Sequence, residues 1–274
     1  MAIVEGLSLW QMILVVPLLV IPILYLTVKS FKYYFKLTVY FVGVLLIGFA
    51  TIFYGLPRPR NPVNHFFVSF WVKYFLGPLL GVQVIVRGKK HLEIDEPVII
   101  VLNHQSSLDM LPLFNMWPDN CVILAKKELI WSSGTFGLGA WMCGTIYINR
   151  VNRQSAIKTI DGTSSLVKNR KLKVIFFPEG TRNHDGSMLP FKKGAFHLAV
   201  EAQVPVVPVV VSSYNNFYNK KEKRFGEGKV IIEILPPIPT SGLSPSDVTE
   251  FSEKTRDIML EHFQKLNSEI ATLR

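Results

Sequence analysis

The sequence predicts an α/β fold: a largely parallel sheet flanked by helices, preceded by an N-terminal membrane helical hairpin. Three observations carry this. Two uncharged apolar runs lie within the first 56 residues. From Val82 onward, short β-rich runs alternate with helix-like segments. Between these regimes lies Pro57-Arg58-Pro59-Arg60-Asn61-Pro62, whose prolines cannot continue a helix. Two units are therefore expected: residues 1–60, a membrane-embedded two-helix hairpin with its linker, and residues 61–274, an α/β domain with a membrane-facing interfacial helix.

The first apolar run, Leu7 to Val28, would reach about 33 Å as a helix, against a hydrocarbon core of about 30 Å. Pro17 and Pro22 would bend it. The second runs from Leu37 to Leu56. The lysines and aromatics of Lys29 to Lys36 between them suit a hairpin loop at a headgroup interface. A cleavable signal peptide fits poorly, because Glu5 stands in the leader and no small-residue cleavage site follows. The lysines in the loop compete with Arg58 and Arg60, so charge does not orient the hairpin. The aromatic, amphipathic stretch His65 to Leu80 is expected to lie in the interface.

Strands are expected at 82–87, 97–102, 121–125, 144–148, 173–177, 206–211 and 229–235, the last open to an antiparallel placement. Helices are expected at about 107–117, 154–169, 192–203 and 244–273. Near-continuous apolar strands separated by helices point to a parallel sheet covered on both faces. In such sheets ligands collect beyond the strand ends, and chemistry is sought there.

Composition narrows the partners. The formal net charge is +10, and only 18% of residues are charged against 49% hydrophobic. A basic, apolar chain suits anionic membrane lipids or phosphorylated substrates. It carries no zinc-finger or RNA-binding signature, which argues against nucleic acid. The cysteines, Cys121 and Cys143, form neither a disulfide framework nor a metal motif, and no metal is expected. The G-x-S-x-G elbow, Walker A loop, G-x-G-x-x-G fingerprint and H-E-x-x-H pair are absent. Acid–base chemistry and anion binding remain.

Asn103-His104-Gln105-Ser106-Ser107-Leu108-Asp109 follows an apolar run. On one continuous helix His104 and Asp109 would not share a face. They meet only if His104 lies in the turn after the strand and Asp109 opens the next helix. The pair then resembles the His–Asp half of a triad; the alternative is a capping Asp beside a loop histidine. Phe177-Pro178-Glu179-Gly180-Thr181-Arg182 follows another strand and offers a flexible turn, a hydroxyl and a guanidinium fork for phosphate; the alternative is an ordinary turn with a surface ion pair. Lys126, Lys127 and Arg150 also end strands, whereas Val204 to Val211 has no polar side chain and reads as core.

NHQSSLD, IYINR, FPEGTR and VPVVPVVV, in this order, resemble the four blocks of the HxxxxD glycerophospholipid acyltransferases, and the match covers most of residues 82–235. AKKEL at 125–129 and FPEGTRNHDGSMLPFKKGAFHLA at 177–199 are most similar to the 1-acylglycerol-3-phosphate (lysophosphatidate) acyltransferases.

The resemblance implies transfer of an acyl chain from acyl-CoA, a co-substrate, to the sn-2 hydroxyl of lysophosphatidate, with no metal or resident cofactor. It implies His104 as general base and Asp109 as its orienting partner. It places Glu179, Gly180, Thr181 and Arg182 at lysophosphatidate, with Lys126 and Arg150 at its phosphate. Ser106 and Ser107 remain turn residues. It also implies an endoplasmic reticulum membrane; the side of the catalytic domain is left open by the sequence, with the cytosolic side favoured. Alternatives are a related acyltransferase acting on another lysophospholipid or glycerol-3-phosphate, a membrane-bound thioesterase, and a non-catalytic lipid-binding protein.

Overall fold

The computed structural model describes residues 8–149 and 162–273. Ser8 begins the first helix with its backbone N–H donating to Gln11 Oε1 at 2.8 Å, and α1 runs over Leu9–Thr27 through Pro17 and Pro22. One extended residue, Val28, breaks it. The helix α2 then spans Lys29–Gly55. Among the described residues it is the one helix long and apolar enough to cross a membrane; residues 13–27 form a shorter apolar helix.

The segment Lys29 to Lys36, expected as a hairpin loop, is instead the start of α2. It contains neither glycine nor proline, and its last lysine finds partners in the domain. Lys36 Nζ, buried, donates to the carbonyls of Leu80 at 2.8 Å and Gly226 at 2.7 Å. The stretch His65 to Leu80 is also more broken than one interfacial helix. It comprises α3 (His65–Trp71), a π-helical turn at Val72–Leu76 and one further turn at Gly77–Leu79. Phe66, Phe70, Phe75 and Leu79 point outward from it, continuing the exposed apolar surface of α1 and α2.

The following elements are β1 (Val82–Arg87), β2 (Val98–Leu102), α4 (Met110–Met116), β3 (Cys121–Lys126), α5 (Thr135–Met142) and β4 (Ile146–Ile148). Beyond residues 150–161 come α6 at residues 162–169, β5 (Lys173–Phe176), α7 (Gly194–Ala202) and β6 (Val206–Val211). A small hairpin, β7 (Tyr218–Asn219) and β8 (Arg224–Phe225), precedes β9 (Gly228–Ile234) and the long α8 (Val248–Thr272). The first part of the helix expected at 154–169 lies outside the described residues.

The sheet order is β1-β9-β6-β2-β5-β3-β4. All neighbours are parallel except β6 with β9, which are antiparallel. The central strands β2 and β6 are apolar at every position because helices cover both faces. On β2, Ile100 and Leu102 join one core cluster, Ile99 and Val101 the other. The order β6-β2-β5 has a direct consequence. Three adjacent parallel strands end at the same edge, so the loops after Leu102, Phe176 and Val211 must converge.

The helix α5 was not expected from the sequence, and α2 packs on it closely. Thr135 Oγ1 donates to the Leu45 carbonyl at 2.6 Å. A Cβ added at Gly48 would lie 2.6 Å from Phe136 Cα. Gly48→Ala therefore forces two backbones apart. Overpacking of this kind costs about 1–3 kcal/mol, and the thermal melting of the solubilised protein is expected to fall accordingly.

Candidate active site

His104 and Asp109 meet as the strand-to-helix turn allows. The His104 Nδ1–H donates to Asp109 Oδ2 at 2.6 Å. Asp109 is 2% exposed. The same carboxylate accepts the backbone N–H groups of Gln105 at 2.9 Å and Ser106 at 3.1 Å. Ser106 Oγ in turn accepts from the Leu108 N–H at 3.3 Å. The two readings of the sequence thus coincide: Asp109 caps the turn at the head of α4 and also holds the histidine.

The converging loops are stitched to this turn. The His104 N–H donates to Glu179 Oε1 at 2.7 Å, and the Asn183 N–H donates to the His104 carbonyl at 2.8 Å. Phe177 stacks on the imidazole, with ring centroids 4.1 Å apart. From the β6 side, Asn103 exchanges hydrogen bonds with the backbone of Val211 at 2.8 and 3.0 Å. Gln105 Nε2 donates to the carbonyls of Val211 and Ser212, both at 3.0 Å. The Tyr214 hydroxyl donates to Asp109 Oδ1 at 2.7 Å. From α2, the Tyr40 hydroxyl donates to the Ser107 carbonyl.

The residues expected at the substrate divide into three groups. Glu179 is buried, and both its oxygens accept backbone N–H groups, Oε2 that of Leu189 at 2.9 Å. It braces two loops rather than facing solvent. Burial pushes its carboxyl above the usual range, although the two backbone donors oppose this. Gly180 has φ +70, and a Cβ there would meet Lys192 at 2.8 Å, so the turn requires glycine. Thr181 and Arg182 are exposed. The Arg182 charge reaches His184, where burial and then Lys220 and Arg182 hold the imidazole below its usual range. Lys126 ends β3 and is exposed. Arg150 lies outside the described residues.

Asn103, Gln105, Tyr40 and Tyr214 were not singled out from the sequence. Asn103, Gln105 and Tyr214 carried a usable signal, each standing within three residues of a strand end, and Tyr40 carried none.

An apolar cavity of about 40 Å³ lies beside the turn after β2, between α2, α3, α4 and α5. Val44, Ile47, Met110, Leu111 and Phe136 are among its walls. His65 also lines it, held neutral by burial with its pKa lowered to about 3.

Residues 83–212 match the family model described as Acyltransferase. The chain is 42% identical to the 1-acyl-sn-glycerol-3-phosphate acyltransferase alpha of Homo sapiens over 91% of its length and 87% of that protein. It is 37% identical to the 1-acyl-sn-glycerol-3-phosphate acyltransferase of Haemophilus influenzae, over 83% and 93% of the two chains. The crystal structure of the 1-acyl-sn-glycerophosphate (LPA) acyltransferase PlsC from Thermotoga maritima superimposes with a TM-score of 0.63 at 25% identity, covering 85% of this chain and 95% of that one. The fold and its site define an acyltransferase of the parallel-sheet type. The chain belongs to the 1-acyl-sn-glycerol-3-phosphate acyltransferase family.

Glu179→Gln tests the brace. An amide offers one acceptor oxygen to two buried N–H donors, and leaving one unpaired costs about 1–3 kcal/mol. Melting temperature and activity are expected to fall together.

Proposed function

We propose that the protein transfers an acyl chain from acyl-CoA to the sn-2 hydroxyl of 1-acylglycerol-3-phosphate, releasing phosphatidate and CoA, with His104 as general base and Asp109 as its partner. The observation that carries this reading is the 2.6 Å contact of His104 Nδ1 with the buried Asp109 carboxylate, at the C-terminal edge of a parallel sheet. With Nδ1 engaged, Nε2 is the nitrogen left to accept a proton from the glycerol hydroxyl. That oxygen attacks the thioester carbonyl, the C–S bond breaks, and the imidazolium returns its proton to the departing thiolate. Asp109 keeps the tautomer correct and stabilises the charged ring.

The names of the relatives support lysophosphatidate as acceptor. Arg182 supports it chemically, as an exposed guanidinium in the loop that touches His104, suited to a bidentate phosphate contact. On this reading Lys126 and Arg150 add charge for the phosphate, Thr181 offers its hydroxyl, and Gly180 lets the backbone turn. Glu179 acts by holding the loops. The apolar walls between α2 and α4 suit the first carbons of an acyl chain beside the turn. No metal or resident cofactor takes part in this scheme.

The units follow the same logic: residues 1–60 anchor, and residues 61–274 catalyse. The apolar outward faces of α2 and of residues 66–79 favour residence at a bilayer, and the net charge of +10 favours anionic lipid. Endoplasmic reticulum and a cytosolic active site are part of the proposal.

The test is CoA release from oleoyl-CoA by the solubilised protein. The acceptors are lysophosphatidate, lysophosphatidylcholine, glycerol-3-phosphate and none. Release is expected with lysophosphatidate, and His104→Ala is expected to lower it by about 10²–10⁴. Equal release without acceptor would identify a thioesterase instead. In the same assay Arg182→Ala is expected to raise KM for lysophosphatidate and leave KM for oleoyl-CoA unchanged.

A further inference from the structure

We infer that Tyr214 is a positioning residue for acyl transfer: its hydroxyl fixes the Asp109 carboxylate, which in turn orients His104. The inference rests on the reading of His104 as general base.

The carboxylate must be held in one rotation for Oδ2 to meet the imidazole. Oδ2 receives His104 Nδ1–H at 2.6 Å and the Gln105 N–H at 2.9 Å, with the Ser106 N–H forked onto it at 3.2 Å. Oδ1 receives the Ser106 N–H at 3.1 Å and the Tyr214 O–H at 2.7 Å. Tyr214 is thus the side-chain donor on the oxygen opposite the histidine. A side chain can pin a carboxylate only if it is itself fixed. Tyr214 is 4% exposed and packs against Phe217, with ring centroids 5.6 Å apart. Its loop begins at Val211 and Ser212, which Asn103 and Gln105 tie to the catalytic turn. Burial and the neighbouring Asp109 raise the phenol's pKa well above its usual value, so it remains a donor at working pH.

A second consequence is electronic. A donor on Oδ1 lowers the proton affinity of the carboxylate. Without it the carboxylate is more basic and attracts the imidazolium more strongly, so the base is blocked by protonation at higher pH. The other titratable groups facing the pair are Tyr40 from α2 and Glu179, Arg182 and His184 from the loop after β5. None of these changes when only the Tyr214 hydroxyl is altered.

The experiment uses the full solubilised chain with oleoyl-CoA and lysophosphatidate, and measures kcat, KM and the pH dependence of kcat/KM. Tyr214→Phe keeps the ring and deletes the hydroxyl. A hydrogen bond to a charged group is lost, so kcat is expected to fall about tenfold with KM unchanged. The acid limb is expected to move to higher pH. Site-specific 3-fluorotyrosine at 214 keeps ring and hydroxyl but makes a stronger donor, and the limb is expected to move to lower pH. That second variant remains readable should the phenylalanine protein fail to fold. Acid limbs that stay in place overturn the inference, even where kcat falls with melting temperature, because a purely structural role moves stability and not the profile. His104→Ala separates the two readings. Activity retained in that variant defeats the general base itself; activity lost there, with unmoved limbs at Tyr214, defeats only the role of Tyr214.

Discussion

A carboxylate removed from water must be fully hydrogen-bonded, because an unpaired buried charge costs several kcal/mol. Asp109 is such a group, and its donors come from His104, Gln105, Ser106 and Tyr214. Three of these lie in the turn after β2, and the fourth in the loop after β6. The turn is held from a third side by the loop after β5, through Glu179 and Asn183. Such a site needs β6, β2 and β5 to be parallel neighbours ending at one edge, and the sheet has them in that order. The central strand order and the chemistry of the turn are one constraint seen at two scales.

The same constraint reaches α2. A helix that only anchored the chain would need no polar partners in the domain and no close approach to it. Here Lys36 clamps the carbonyls of Leu80 and Gly226, Tyr40 donates to Ser107, and Gly48 brings the helix against the backbone of α5. One face of α2 therefore forms a wall of the apolar cavity while the other stays apolar and exposed. That cavity joins α2 to the turn after β2, because Met110 and Leu111, which directly follow Asp109, also line it.

The sheet was legible because both faces are buried, which writes each strand as a continuous apolar run such as Val98–Leu102. The His–Asp pair was legible because polar residues directly follow such a run. What escaped depends on partners distant in sequence. Thr135–Met142 contains Gly137 and Gly139 and follows Gly134 at φ +58, so it reads as loop; its glycines are there for contacts with Ile130 and Gly48. Lys29 to Lys36 reads as a headgroup loop, but the two carbonyls that receive Lys36 are 44 and 190 residues away. The resemblance places Glu179 at the substrate, and nothing local reveals that the His104 and Leu189 N–H groups occupy its oxygens. Arg150, equally visible in the sequence, lies outside the described residues.

The geometry also bears on which nucleophile the chemistry employs. An acyl-serine route needs a hydroxyl that is open to the thioester and free to lose its proton. Ser106 is 2% exposed, and its Oγ is the acceptor for the Leu108 N–H at the head of α4. Moving it would uncap the turn and release the N–H donors that hold Asp109. The Ser107 backbone is tied to α2 through its carbonyl, which accepts from Tyr40. The turn therefore keeps Ser106 as framework and presents the imidazole, which is partly exposed. On the proposed mechanism the attacking hydroxyl then belongs to the acceptor lipid. On that proposal transfer would be direct, and discrimination between lysophosphatidate and water would rest on how well the site places the lipid hydroxyl beside Nε2.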